Sequence, residues 1–132
     1  LRSIDEPELH FIAQKNIRMK SNGDLGQIGF QAALEEAVSV VSKHTDALFL
    51  SIDIDSCDPS FAPAVGTPVP GGILHDEMMA GLSWLTQEAD FDVIEIAEYN
   101  PGKDRDGMTA DLVGEMLSVL LASGRKQAAK QA

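Results

Sequence analysis

Two short apolar runs separated by a helical pattern set the strongest constraint on how this chain can fold. The first, Ala47-Leu48-Phe49-Leu50-Ser51-Ile52, is bounded by polar residues and has the length of a buried strand. The second spans Phe91 to Ala97. Between them, Leu74 to Glu88 places Met78, Leu82 and Leu85 on one helical face. A helical pattern from Gln27 to Lys43 precedes the first run, with Phe30, Ala33, Leu34, Ala37, Val38 and Val41 in phase. Another, from about Met108 to Ala122, follows the second, with Leu112, Met116, Val119 and Leu120 facing inward. Strands alternating with helices at this spacing predict an α/β fold, a parallel sheet with crossover helices. Ligand sites of such sheets lie at the carboxyl ends of the strands, and both polar clusters of this chain fall there.

A chain of 132 residues has room for one core and not for two. Residues 1–123 are expected to form one unit, and the small, basic segment 124–132 a frayed tail. The net charge of −11 would repel nucleic acid and suits a cationic ligand, although acidic surfaces also serve solubility alone. No stretch approaches the roughly 20 apolar residues of a membrane span, and no basic segment followed by an apolar core opens the chain. Neither a nucleic-acid nor a membrane partner is expected. Cys57 is the only cysteine, which excludes an internal disulfide and a thiolate zinc site, and fits a reducing, cytoplasmic setting. The chain opens at Leu1 instead of Met, which suggests a cut or partial sequence.

The first polar cluster, Ser51-Ile52-Asp53-Ile54-Asp55-Ser56-Cys57-Asp58-Pro59, begins inside the first strand. Residues two apart on a strand point the same way, so Asp53 and Asp55 are expected to project together where the strand ends. Two carboxylates side by side repel unless a cation lies between them. Hard divalent ions such as Mg, Ca or Mn take oxygen ligands of this kind, and a carboxylate that bridges two ions builds a clamp able to activate water. A bare D-x-D is also common in solvated turns. Here, however, the strand before it is strongly apolar and the loop after it, from about Ser56 to Gly72, is unusually long. Within that loop, Phe61 to Gly72 holds three prolines and three glycines, enough to fix an irregular backbone that could offer carbonyls or the Thr67 hydroxyl to a ligand. The second cluster opens with Glu98-Tyr99-Asn100-Pro101 after the second strand. A carboxylate there can accept two parallel N–H bonds from a planar guanidinium or amidine.

The string from Ser51 to Gly72, SIDIDSCDPSFAPAVGTPVPGG, resembles the signature of the ureohydrolases, the family of arginase, agmatinase, guanidino-acid hydrolases and formimidoylglutamase. Every fixed position of S-x-D-x-D-x-x-D-P-x-x-x-P-x-x-G-T-P-x-x-G-G is matched. Glu98 to Pro101 resembles the family's E-x-N-P, and Asp104 to Ala110 its D-x-x-G-x-T-A. The resemblance runs from about residue 1 to about 122 and implies the C-terminal half of a three-layer α/β/α arginase-like fold. It implies that Asp53 and Asp55 ligate a pair of Mn2+ ions and that Glu98 orients the substrate's guanidino group. It further implies that Thr67 lies near that group, and that Asp5 falls near an acidic position that contacts a substrate α-amino group. Asp58 is expected to shape the turn, and Asp104, Asp106 and Thr109 to serve the start of a helix. Leu1-Arg2-Ser3 resembles the end of an earlier family strand. The family's other ligands, a histidine and a D-x-H-x-D motif, have no counterpart here. His10, His44 and His75 fall outside such motifs and are expected to be structural, as is a buried Cys57 thiol.

These expectations converge on a dimanganese hydrolase that cleaves a C–N bond of a linear guanidino or formimino compound, with this chain alone inactive. The G-T-P-x-P-G-G string from Gly66 to Gly72 favours an agmatinase or guanidino-acid amidinohydrolase, which releases urea. Ile96 to Pro101 resembles formimidoylglutamases, which release formamide. Arginase ranks third, because its loop has Val-Gly-Gly where this chain has Pro70-Gly71-Gly72. A non-catalytic scaffold lacking the upstream ligands is the alternative class. Family members are commonly trimers or hexamers, so a homotrimer or homohexamer is expected of the intact protein.

Overall fold

A computed structural model describes residues 4–43 and 45–130, with side chains as far as Ala122. His44 and the segment Leu1-Arg2-Ser3 lie outside the described residues. The elements run α1 (Glu6–Gln14), α2 (Asn22–Ile28), α3 (Phe30–Val41), β1 (Phe49–Asp53), α4 (His75–Glu88), β2 (Val93–Ala97) and α5 (Met108–Lys130). Short 3-10 turns cover Ile54–Ser56 and Pro101–Lys103. No helix among the described residues is long and apolar enough to cross a membrane.

Capping explains most helix starts. Asp5 and Glu8 form a reciprocal capping box at α1, and Ser21 and Asp24 do the same at α2. The single helix expected from Gln27 to Lys43 is two, because Gly29, at φ 84°, ends α2 and begins α3. At the other end, helical backbone continues through the expected tail as far as Lys130.

β1 and β2 pair in parallel, from Phe49 against Val93 to Asp53 against Ala97, and α4 is the crossover between them. The α/β expectation therefore holds. The core lies on one side of the sheet. There Ile52 and Ile54 meet Met78, Leu82 and Leu85 of α4 and Leu112, Met116 and Leu120 of α5. Each such side chain contributes about 1.5–3 kcal/mol when fully buried. The expectation of two fully buried strands is corrected. Phe49 is 61% and Val93 56% exposed, because among the described residues helices cover one face of the sheet only.

The long connection after β1 closes on itself. Asp58 N–H donates to Ile73 O and Ile73 N–H to Ser56 O, both at 3.0 Å. Asp58 also holds the loop from within, as expected of it. Its Oδ1 accepts from Ser60 N–H at 3.0 Å and its Oδ2 from Gly71 N–H at 2.8 Å. These donors, Ser60 foremost, hold its carboxyl down to about 2. At the closure Gly72 runs against backbone, since a Cβ there would stand 2.5 Å from both Asp58 N and Cys57 O.

His75, the first residue of α4, ties that helix to α5. Its Nδ1 lies 3.0 Å from Asp76 Oδ1 and its Nε2 2.8 Å from Glu115 Oε2. The edge of its ring meets Phe61, with centroids 5.7 Å apart. Asp76 first and Glu115 second raise the imidazole pKa. The side chain is 42% exposed, so solvent screens the pair and its contribution is modest.

Two outcomes are expected. Gly72→Ala forces backbone apart and should cost about 1–3 kcal/mol in chemical denaturation. An unchanged denaturation midpoint would show that the close approach is not enforced. The His75 contribution should be fully present below about pH 6.5 and fade as pH rises through the raised folded-state value. Denaturation midpoints of wild type and His75→Gln should therefore differ most at about pH 5.5 and converge by about pH 9. A constant difference across that range would refute the ion-pair account.

Candidate functional site

Asp53 is the last residue of β1, exposed, and in register with Ala97, the residue before Glu98. Asp55 lies beyond the strand, in the 3-10 turn. Strand alternation therefore does not carry through to Asp55, contrary to expectation. What sets the turn is Ile54, fully buried between the two acids and pinned in the core. Asp55 is half-buried, and its Oδ2 accepts from the Thr67 hydroxyl at 3.0 Å. The chain thus returns Thr67, 12 positions on, to Asp55 just beyond the strand end.

The loop carrying Thr67 is stitched to the segment after β2. Val65 forms an antiparallel bridge with Tyr99. Asn100 N–H donates to Ala64 O at 2.8 Å, and Ala64 N–H donates to the Thr109 hydroxyl at 3.1 Å. Lys103 Nζ donates to Val65 O at 2.8 Å and to Gly66 O at 3.0 Å. Glu98 sits at φ 65°, in the left-handed region that a non-glycine residue seldom occupies. Its Oε2 lies over Gly66, 3.6 Å from where a Cβ would stand. Backbone strain of this kind costs roughly 1–3 kcal/mol and persists where surrounding contacts over-determine it. Here Ala97 is fixed by the sheet on one side, while Tyr99 and Asn100 are fixed by the loop on the other.

Asp104 completes the frame. It accepts from Thr109 N–H at 3.2 Å, from Ala110 N–H at 2.8 Å and from the Tyr99 hydroxyl at 3.0 Å. Desolvation pushes its carboxyl up, but the Ala110 and Thr109 amides and the Tyr99 hydroxyl outweigh it and leave the pKa lowered. Desolvation, then Asp104, raises the pKa of Tyr99. Asp104 thus caps α5 as expected, and Thr109 is wholly buried. Cys57 is buried, as expected of a structural thiol.

The structure joins Asp55 to Thr67 directly and brings Glu98 onto the neighbouring Gly66. Asp53 stands at the same strand end. Asp5 is the N-cap of α1, where its Oδ1 accepts from Glu8 N–H at 3.0 Å. Lys103 is the site residue that sequence reasoning misses, because a lysine in a short loop carries no signal of what it will hold. Asp53 and Asp55 suit a hard divalent cation in kind. In number they fall short, since among the described residues no three His, Cys, Asp or Glu side chains gather as a metal site.

The chain is similar to known proteins over most of its length. The family model of the Arginase family matches residues 1–122. The chain is 37% identical over 120 residues to an arginase of Brevibacillus brevis, covering 89% of this chain and 39% of that protein. The solved arginase of Bacillus caldovelox superposes with a TM-score of 0.85 at 33% identity, over 91% of this chain and 40% of that one. The formimidoylglutamase structure of Bacillus subtilis superposes with a TM-score of 0.87 at 26% identity, over 94% and 39%. The chain spans about 40% of the length of the relatives it matches. With its fold, its loop signature and nearly its whole length matched, the chain belongs to the arginase family of ureohydrolases.

Proposed function

We propose that this chain forms the substrate-orienting part of a metal-dependent hydrolase that cleaves a C–N bond of a guanidino compound and releases urea. The carrying observation is Glu98, held in a left-handed backbone over Gly66 and beside the Thr67–Asp55 hydrogen bond. A carboxylate so placed accepts the N–H groups of a planar cation. Holding it in one place before the substrate arrives lowers the entropy cost of orientation. Asp53 and Asp55 are the residues that would hold manganese, and Thr67, by donating to Oδ2, sets the rotation of the Asp55 carboxylate. A manganese pair, when bound, supplies Lewis acidity and a source of hydroxide at neutral pH. Asp5 is assigned to an α-amino group of the substrate on resemblance alone.

The Gly66 to Gly72 string supports agmatine or a guanidino acid as substrate, whereas the names of the more identical relatives support L-arginine. A second reading, formimidoylglutamate with release of formamide, is supported by Ile96 to Pro101 and by the Bacillus subtilis structure. The intact protein is read as a cytoplasmic homotrimer or homohexamer.

The test is product release by the full-length protein with manganese: urea from agmatine, guanidinobutyrate and arginine, and formamide from formiminoglutamate. Outer-shell changes at metal sites typically cost about 10–100-fold, so Asp53→Ala, which removes a ligand, should lower turnover by more than about 100-fold. Glu98→Gln weakens a charge-assisted contact and should raise KM by about 10–100-fold. An Asp53→Ala variant as active as wild type would sink the metal assignment. No product from any of the four substrates, with fold and metal binding intact, would favour the non-catalytic scaffold.

A further inference from the structure

Lys103 closes the 3-10 turn that follows Asn100, and the Asn100 side chain caps that turn by accepting from Gly102 N–H at 3.1 Å. From there its ammonium spans to two successive carbonyls, Val65 O and Gly66 O, at 2.8 and 3.0 Å. An ammonium is a donor only, with three N–H groups, and its hydrogen bonds are charge-assisted. Two carbonyls in a row turned toward one point fix the two peptides that flank Gly66, Val65–Gly66 and Gly66–Thr67. Those peptides lie between two members of the site. Thr67, on Asp55, is the next residue, and Gly66 itself lies beneath the Glu98 carboxylate. Pro68 follows and offers no N–H with which to anchor the loop from the far side. The pairing also runs from one loop to the other, so it couples the strand end bearing Asp53 and Asp55 to the strand end bearing Glu98.

We propose that Lys103 is a positioning residue, whose ammonium locks the Val65–Gly66 and Gly66–Thr67 peptides and so sets Thr67 against Asp55 and Gly66 under Glu98. Its effect on turnover rests on the hydrolase reading above, whereas its hold on the loop does not.

The experiment uses the full-length protein with K103M, which keeps the aliphatic stem and removes the donors, and K103R, which restores them. Amide exchange without metal is read at Ala64 and Asn100, whose N–H groups bridge the two loops, and at Leu82 and Leu85 as core controls. K103M should speed exchange at Ala64 and Asn100 by about tenfold or more, the range expected on removing a charged hydrogen bond, with the core controls unchanged. K103R should return it toward wild type. On whichever substrate wild type turns over, K103M should raise KM by about tenfold, because Gly66 no longer sits fixed beneath Glu98, and should lower kcat as well, because a loosened Thr67 no longer sets the Asp55 carboxylate. Should K103M fail to fold, K103Q replaces it, and intermediate exchange at the same two amides is expected. Unchanged loop exchange overturns the proposal whatever the activity. Faster exchange with an unchanged KM overturns the positioning role. A wild type that turns over none of the four substrates, while loop exchange still responds to K103M, counts against the hydrolase reading and for the loop lock.

Discussion

The buried hydrogen bond from Ala64 N–H to the Thr109 hydroxyl is the interaction that holds the site together. Ala64 and Thr109 are both fully buried, so neither polar group could turn to water if the other moved away. Leaving either unpaired would cost roughly 1–3 kcal/mol. Thr109 is in turn part of the first turn of α5, where Asp104 caps its N–H. The helix start, the loop after β2 and the loop after β1 are therefore one hydrogen-bonded unit. Every buried side-chain polar atom among the described residues has a partner, as a unit of this kind requires.

That unit explains how Glu98 can occupy a left-handed backbone conformation. A free loop would relax out of it. Here the sheet register fixes Ala97 on one side, and the Val65 bridge and the Ala64 carbonyl fix Tyr99 and Asn100 on the other. The strained residue is the one whose carboxylate the chemistry of a planar cation would use. The more regular acids nearby, Asp58 and Asp104, are taken up by backbone amides and serve the frame. Acids alike in sequence are thus divided by environment into those that hold the loops and those that stand at the two strand ends.

Much of this division is legible in the order of the residues. Asp58 precedes a proline at the head of a Pro- and Gly-rich loop, a place where a carboxylate gathers amides, and it does so. Asp104 lies just before a helical pattern and caps it. Where pattern and fold part company, the cause is tertiary. Strand alternation stops at Asp53 and does not reach Asp55, because buried Ile54 turns the chain there. Gly29 splits a helix whose apolar spacing looks continuous, since periodicity is blind to one residue at positive φ. Both apolar runs have the composition of buried strands, yet one face carries Phe49 and Val93 into solvent, since local hydrophobicity cannot report which faces find a partner.

The α/β alternation, the two strand ends where polar residues gather and the residue types found there are all written in the order of amino acids. They follow from periodicity, from the conformational limits of proline and glycine, and from the chemistry of carboxylates, all of which act over a few residues. Which residues meet is a matter of the folded chain alone. Folding returns Thr67 to Asp55 across 12 positions, lays Glu98 over Gly66, and brings Lys103 to Val65 and Gly66 from 38 and 37 positions away. Such pairings depend on how two loops pack together. That packing goes with the burial of Ile54, Ala64 and Thr109, which no local pattern encodes.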